Sequence, residues 1–216
     1  MTVSLTTPIS VFGQKSVEAA AEMEAAASQF SQVFGELESN AFSNLSAIAD
    51  ETGIIEERLR GSYTQIASFA KTTGIETEEA MELSNRAMRA VADSAAFYDR
   101  SLEETAESLR SFLKGNYEND AALGLSATEY TRNAAAMELY GQSFNDLSES
   151  QKQFTLLKMV EDANELSGAM GQAARESETW SNVTGNLDQE MTNLQASIGQ
   201  HLLPVLIPLI QNVAEI

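Results

Sequence analysis

Cysteine is missing from all 216 residues, which removes structural disulfides, thiolate metal sites and cysteine nucleophiles from consideration. Histidine is nearly missing as well. His201 stands alone, so no site that needs two imidazoles can be built, an HExxH metalloprotease centre among them. A Ser-His-Asp triad would have to use His201, which lies beside a proline-interrupted apolar run with no GxSxG elbow anywhere in the chain. His201 therefore reads as a helix-end or packing residue. No GxxxxGK[ST] or GxGxxG loop occurs to cradle a phosphate. The polar cluster at residues 116–120 lacks the glycine and the closing glutamate of an EF-hand loop. No cofactor or metal is implied.

Long apolar runs are absent too. No stretch approaches the roughly 20 apolar residues that a membrane-spanning helix needs. The opening MTVSLTTPIS has neither a basic n-region nor a long apolar h-region, so it does not read as a secretory signal. Without such a signal the sequons at Asn44 and Asn182 carry no meaning. Basic residues are scarce, 13 against 32 acidic, for a formal charge of −19. Such a surface repels nucleic-acid phosphates and anionic lipid headgroups. Arg58 with Arg60, and Arg86 with Arg89, are the nearest basic pairs, and acidic neighbours surround both. No specific nucleic-acid binding is expected.

Proline occurs only at Pro8, Pro204 and Pro208, which leaves residues 9–203 free of the strongest helix breaker. What fills that span is helical in pattern. Residues 17–27 carry six alanines, the best helix former. Phe30, Val33, Phe34, Leu37, Ala41, Leu45 and Ile48 then recur every three or four residues and make one apolar face. Gly53 and Gly74 punctuate the next stripes, Ile55 to Ala70 and Ala80 to Ala95. Ser101, Ser126 and Ser148 each stand three residues before Glu or Gln, the spacing of a capping box in which hydroxyl and carboxyl or amide satisfy orphan amides reciprocally. The expected fold class is all-α: several amphipathic helices in a bundle, with coiled-coil self-association near the C-terminus as an option.

The expected organisation has four parts. Residues 1–13 alternate in strand fashion and read as a flexible or strand-like arm, with Pro8 limiting it to a sheet edge. Residues 14–117 form a helical region, and 118–200 a second one, continuous with the first or packed on it. Residues 201–216 are an apolar C-terminal segment. Because the chain finishes beside the run LLPVLIPLI, it reads as a piece of a longer protein.

Candidate contact residues lie near that end. Leu187, Met191, Leu194, Ile198 and Leu202 step by four, three, four and four, an a/d-like seam over about two heptads. The seam fits self-association, and equally an ordinary core-facing helix. Leu203, Val205, Leu206, Ile207, Leu209 and Ile210 offer a partner or membrane contact, as does Trp180, the lone tryptophan, which otherwise fits a buried core anchor. The adjacent carboxylates Glu56-Glu57, Glu78-Glu79, Glu103-Glu104 and Glu161-Asp162 read as solvated faces rather than acid–base pairs. A glycosidase would need two carboxyls facing each other across a cleft, and no spacing points to one. The chain is not expected to be an enzyme.

Two stretches, ENDAALGLSATEYTRNAAAMELYG and SFNDLSESQKQFTLLKMVEDANELSGAMGQAARESETWSNVTGNL, resemble runs in the tape measure proteins of long-tailed bacteriophages. With the upstream helical segments, the resemblance covers roughly residues 45–208. It implies a virion protein in the tail tube lumen, present in the host cytoplasm during assembly, that sets tail length and leaves ahead of the genome at ejection. It also implies other copies of itself, tail tube subunits, tail tip proteins and tail assembly chaperones as partners, with apolar segments able to contact the host membrane. The chain departs from that family in length, since even one unbroken helix of this size would reach only about 320 Å. The alternative reading is an acidic helical binding module, a chaperone or effector that docks a partner through an apolar helix face.

Overall fold

The computed structural model describes residues 6–214; the side chains of residues 6–11, 119, 180 and 205–214 lie outside that description. The described residues are α-helical with short 3-10 turns and contain no strand. The chain divides into two units, Phe30–Val183 and a second made of Met1–Gln29 with Thr184–Ile216.

The larger unit is built around a helix of small residues. α2 (Glu38–Thr52), α3 (Glu56–Thr72), α4 (Thr77–Phe97) and α5 (Leu102–Leu113) follow each other through short glycine- or turn-bearing joints. α4 packs on α2, α3, α5, on α7 (Glu149–Ser167) and on the single turn α8 (Gln172–Arg175). It can touch so many neighbours because its buried positions include Ala80, Ser84, Ala87, Ala90, Ser94 and Ala95, which let helix axes approach on every side. Larger groups from the partners fill the space: Leu45, Ile48, Leu59, Ile66, Leu109, Phe112, Leu156 and Leu157 are all enclosed. At one end, Phe34 lies 4.7 Å from Phe30 and 5.3 Å from Tyr63, ring centre to ring centre. Such tilted aromatic contacts stabilise beyond the area they bury.

Local chemistry sets the helix ends. α2 stops at Gly53, which takes the left-handed conformation at φ 70° and donates to the Ala49 carbonyl. The Ser101 hydroxyl accepts from the Glu104 amide, the serine half of the expected box. At Ser148 both halves form: its hydroxyl accepts from the Gln151 amide at 3.2 Å, and the Gln151 side chain accepts from the Ser148 amide at 3.0 Å. The box expected at Ser126 does not form. α6 (Glu129–Tyr140) is capped instead by Thr128, which accepts from the Thr131 amide. The reason lies outside the local pattern. Asp120 Oδ2 accepts from the Ala127 amide at 2.7 Å and so keeps the chain at 126–127 out of the helix.

The smaller unit consists of the first 24 residues of α1 (Thr6–Phe34) and the larger part of α9 (Trp180–Ala214). α1 begins at Thr6, so residues 6–13, which alternate like a strand, are helical. Pro8 is compatible with this because it falls in the first turn, where its missing amide hydrogen has no intrahelical partner to lose. α9 likewise runs through Pro204 and Pro208 to Ala214, joining what the sequence divided at residue 201. The two helices meet through their smallest residues. Ser16, Ala19 and Ala20 of α1 and Ala196 of α9 are buried, and Gly199 lies directly on the Ser16 carbonyl.

Candidate functional site

α9 carries apolar groups on two sides, and the two sides differ in kind. Ala196 and Gly199 take the side packed on α1. Leu187, Met191 and Leu194 take the other and are 60%, 50% and 54% exposed. At about 100° per residue, Ala196 lies some 200° round the helix from Leu194, so one side can be filled while the other stays open. Ile198 and Leu202 continue the large-residue stripe and are half-buried. The five residues singled out as a seam thus do share a stripe, and its upper half, Leu187 to Leu194, faces solvent. His201 is exposed, its Nδ1 2.7 Å from the Ser197 carbonyl oxygen.

The other candidates fare differently. Leu203 is half-buried. The side chains of Val205, Leu206, Ile207, Leu209, Ile210 and Trp180 lie outside the described residues, although the backbone there is helical. Among the described residues no helix is long and apolar enough to cross a membrane, and no cluster of His, Asp and Glu is placed to hold a metal ion.

Sequence reading missed a cleft of about 490 Å³ in the larger unit, bounded by α2, α4, α7 and the turn before α8. Ala90, Met170 and Ala174 supply apolar lining, and ion pairs surround them. Arg86 makes a two-pronged contact with Glu161, Nε to Oε1 at 2.9 Å and Nη2 to Oε2 at 2.6 Å. Arg89 bonds Glu51 at 2.7 Å. Lys158 bonds Asp162 and lies 3.7 Å from Glu138. These bonds favour the charged cations: the Glu161 hydrogen bond pushes the Arg86 pKa up, and that of Asp162 does the same for Lys158. Glu161 and Asp162, expected from the sequence to be a solvated pair, are half-buried and engaged. The only trace of this in the sequence was Arg86 and Arg89 one turn apart; their partners lie 75 and 38 residues away.

Two further side chains hold the cleft together. Asp93 accepts from the amides of Gly171 at 2.7 Å and Ala173 at 3.1 Å, which anchors the turn into α8. Buried Asn164 donates to the Ala90 carbonyl at 2.9 Å and accepts from the Ser94 hydroxyl at 2.8 Å. The cations are engaged by neighbouring carboxylates and Asp93 by backbone amides. The cleft is thus a brace between helices.

Compared with family models, curated proteins and solved structures, the chain matches none.

Proposed function

We propose that this chain is a structural, non-enzymatic phage tail protein of tape-measure type, housed in the tail tube lumen, where it contributes to length control during assembly and to genome ejection. One observation carries the reading: α9 offers a stripe of exposed large apolar residues at coiled-coil spacing while its opposite side is already packed on α1. A helix so arranged associates with further copies without giving up its own fold. The formal charge of −19 supports it, because DNA leaving the tail would slide past a repelling surface rather than bind it. The partners are tail tube subunits, tail tip proteins, assembly chaperones and other copies of the chain. The apolar residues from Leu203 to Ile210 supply the contact with a host membrane at ejection.

The fold bears on how such a protein would measure. Residues 30–183 are globular and contribute little length, whereas α9 with its 35 residues extends about 52 Å at 1.5 Å per residue. The chain therefore acts as a helical station of a longer ruler or at one end of it. Mass spectrometry of purified tails from a phage carrying the gene tests this. Peptides from residues 30–183 in stoichiometric amounts are expected, and their absence from tails, with the protein present in the infected cytoplasm, overturns the reading.

That second outcome favours the other reading, an acidic binding module. On the larger unit Tyr130 and Leu166 are 82% and 89% exposed, where a partner could reach them.

A further inference from the structure

Arg132 stands near the start of α6 with its guanidinium laid against two aromatic rings. Its Cζ lies 4.0 Å from the centre of the Tyr117 ring and 5.4 Å from that of Phe144. Both rings are held from behind. Phe144 is buried, and Tyr117 meets the enclosed Phe112 edge-on, with ring centres 5.6 Å apart. Ring faces attract a guanidinium and steady its plane, but they leave its hydrogen-bonding edge unused.

Little in the chain takes up that edge. Nε donates to the Thr128 carbonyl at 3.3 Å. Among the described residues the Nη groups have neither an acceptor nor an ion-paired carboxylate. Arg60, Arg86, Arg89, Arg110, Lys152 and Lys158, by contrast, are all ion-paired. The next residue presents a donor as well. Asn133 Oδ1 accepts from the Phe144 amide at 2.9 Å and from the Ser143 hydroxyl at 3.2 Å, which settles which end of its side chain is oxygen. Its Nδ2 is left without a protein acceptor among the described residues.

Arg132 and Asn133 line one pocket of about 200 Å³, together with Phe144, Asn145 and Glu129. Pockets that enclose drug-sized ligands run from about 300 to 1,000 Å³, so this one fits a single small group. Unused donors beside a fixed positive charge call for an anion. Glu129 on the pocket wall and the formal charge of −19 disfavour a doubly charged one. A guanidinium fork meets a carboxylate in two parallel bonds.

We infer that Arg132 and Asn133 form a binding site for one carboxylate group, with Tyr117 and Phe144 as the platform that holds the guanidinium ready. The site lies wholly in the larger unit and depends neither on α9 nor on the tail reading.

Nuclear magnetic resonance of the full chain tests this, with sodium acetate as the probe and sodium chloride at equal ionic strength as the control. The Arg132 Nε–H and the Asn133 side-chain amide are expected to shift saturably with acetate and not with chloride. Arg132→Lys keeps the charge but loses the fork, and should weaken acetate binding by about tenfold. Glu129→Gln removes the competing charge and should strengthen it. Circular dichroism checks that both variants keep their helix content. A blocked peptide with one glutamate separates the sources: binding tighter than that of acetate means an acidic segment of a partner protein, and equal binding means a free small acid. Shifts that follow ionic strength alike in acetate and chloride overturn the site, as does undiminished acetate binding by a folded Arg132→Lys. Phosphate binding more tightly than acetate overturns the carboxylate assignment.

Discussion

Gly199 lies against the backbone of Ser16 so closely that a Cβ at position 199 would sit 1.9 Å from the Ser16 carbonyl oxygen and 2.8 Å from the Ala20 Cβ. The first of these is main chain and cannot swing aside, so any side chain at 199 must push the helices apart. Gly199→Val is expected to destabilise the α1–α9 pairing by about 1–3 kcal/mol, the usual cost of overpacking. Hydrogen exchange read by mass spectrometry locates the effect: amides in residues 12–29 and 184–203 lose protection, and those of α4 keep theirs.

Asn182 links positions remote in sequence. Its amide donates to the carbonyls of Gly53 at 2.8 Å and Ser177 at 2.9 Å, and its oxygen accepts from Arg58 at 3.1 Å. Asn182→Ala leaves partly buried acceptors unpaired and is expected to lower stability by about 1–3 kcal/mol in urea denaturation. Gly53→Ala acts on the same joint by another route. It strains a left-handed residue and drives a methyl to within 2.4 Å of the Ser177 Cβ. Combining the two changes should give less than the sum of the separate effects, because both disturb one contact.

Tyr63 is fully enclosed, and its hydroxyl donates to Asn85 Oδ1 at 2.7 Å. Burial pushes its pKa well above the ordinary value of 10.0. The unfolded chain releases this proton near pH 10 while the folded chain keeps it, so the unfolded state binds fewer protons and stability falls as pH rises above that point. Below the unfolded pKa the contribution is fully present. Spectrophotometric titration is expected to show Tyr63 ionising only as the protein unfolds. Tyr63→Phe removes that late step and costs about 1 kcal/mol at neutral pH through the lost hydrogen bond. Identical folded-state titrations of the unmodified chain and of Tyr63→Phe, apart from one phenol lost near pH 10, would show that Tyr63 is not held this way.

Arg86 and Glu161 join α4 to α7 at the edge of the charged cleft, with side chains about one-third and one-quarter exposed. Two-pronged geometry and partial burial lift such a pair above the usual surface ion pair. A double-mutant cycle with Arg86→Met and Glu161→Gln is expected to give a coupling of about 1 kcal/mol, reduced in 1 M salt as screening shortens its reach. Zero coupling at low salt would contradict the bracing role assigned to the cleft.

Helical periodicity, the alanine content, the glycine stops and the caps at Ser101 and Ser148 were legible in the sequence, because each depends on residues within one or two turns of each other. The class of the fold follows from those local choices. The cap at Thr128 was not legible, since Ser126 and Thr128 are both good capping residues and the choice rests on Asp120 reaching the Ala127 amide. Nor was the helical N-terminus, where alternating β-branched residues suggest a strand but pair with no other strand among the described residues. The α9 stripe divides along the same line. Its spacing is a property of the sequence, whereas its exposure is decided by α1, which takes the small-residue side of α9 and leaves the leucines facing water. The cleft belongs wholly to the tertiary structure, because ion pairs such as Arg86 with Glu161 join residues that only the packing of α4 against α7 brings together.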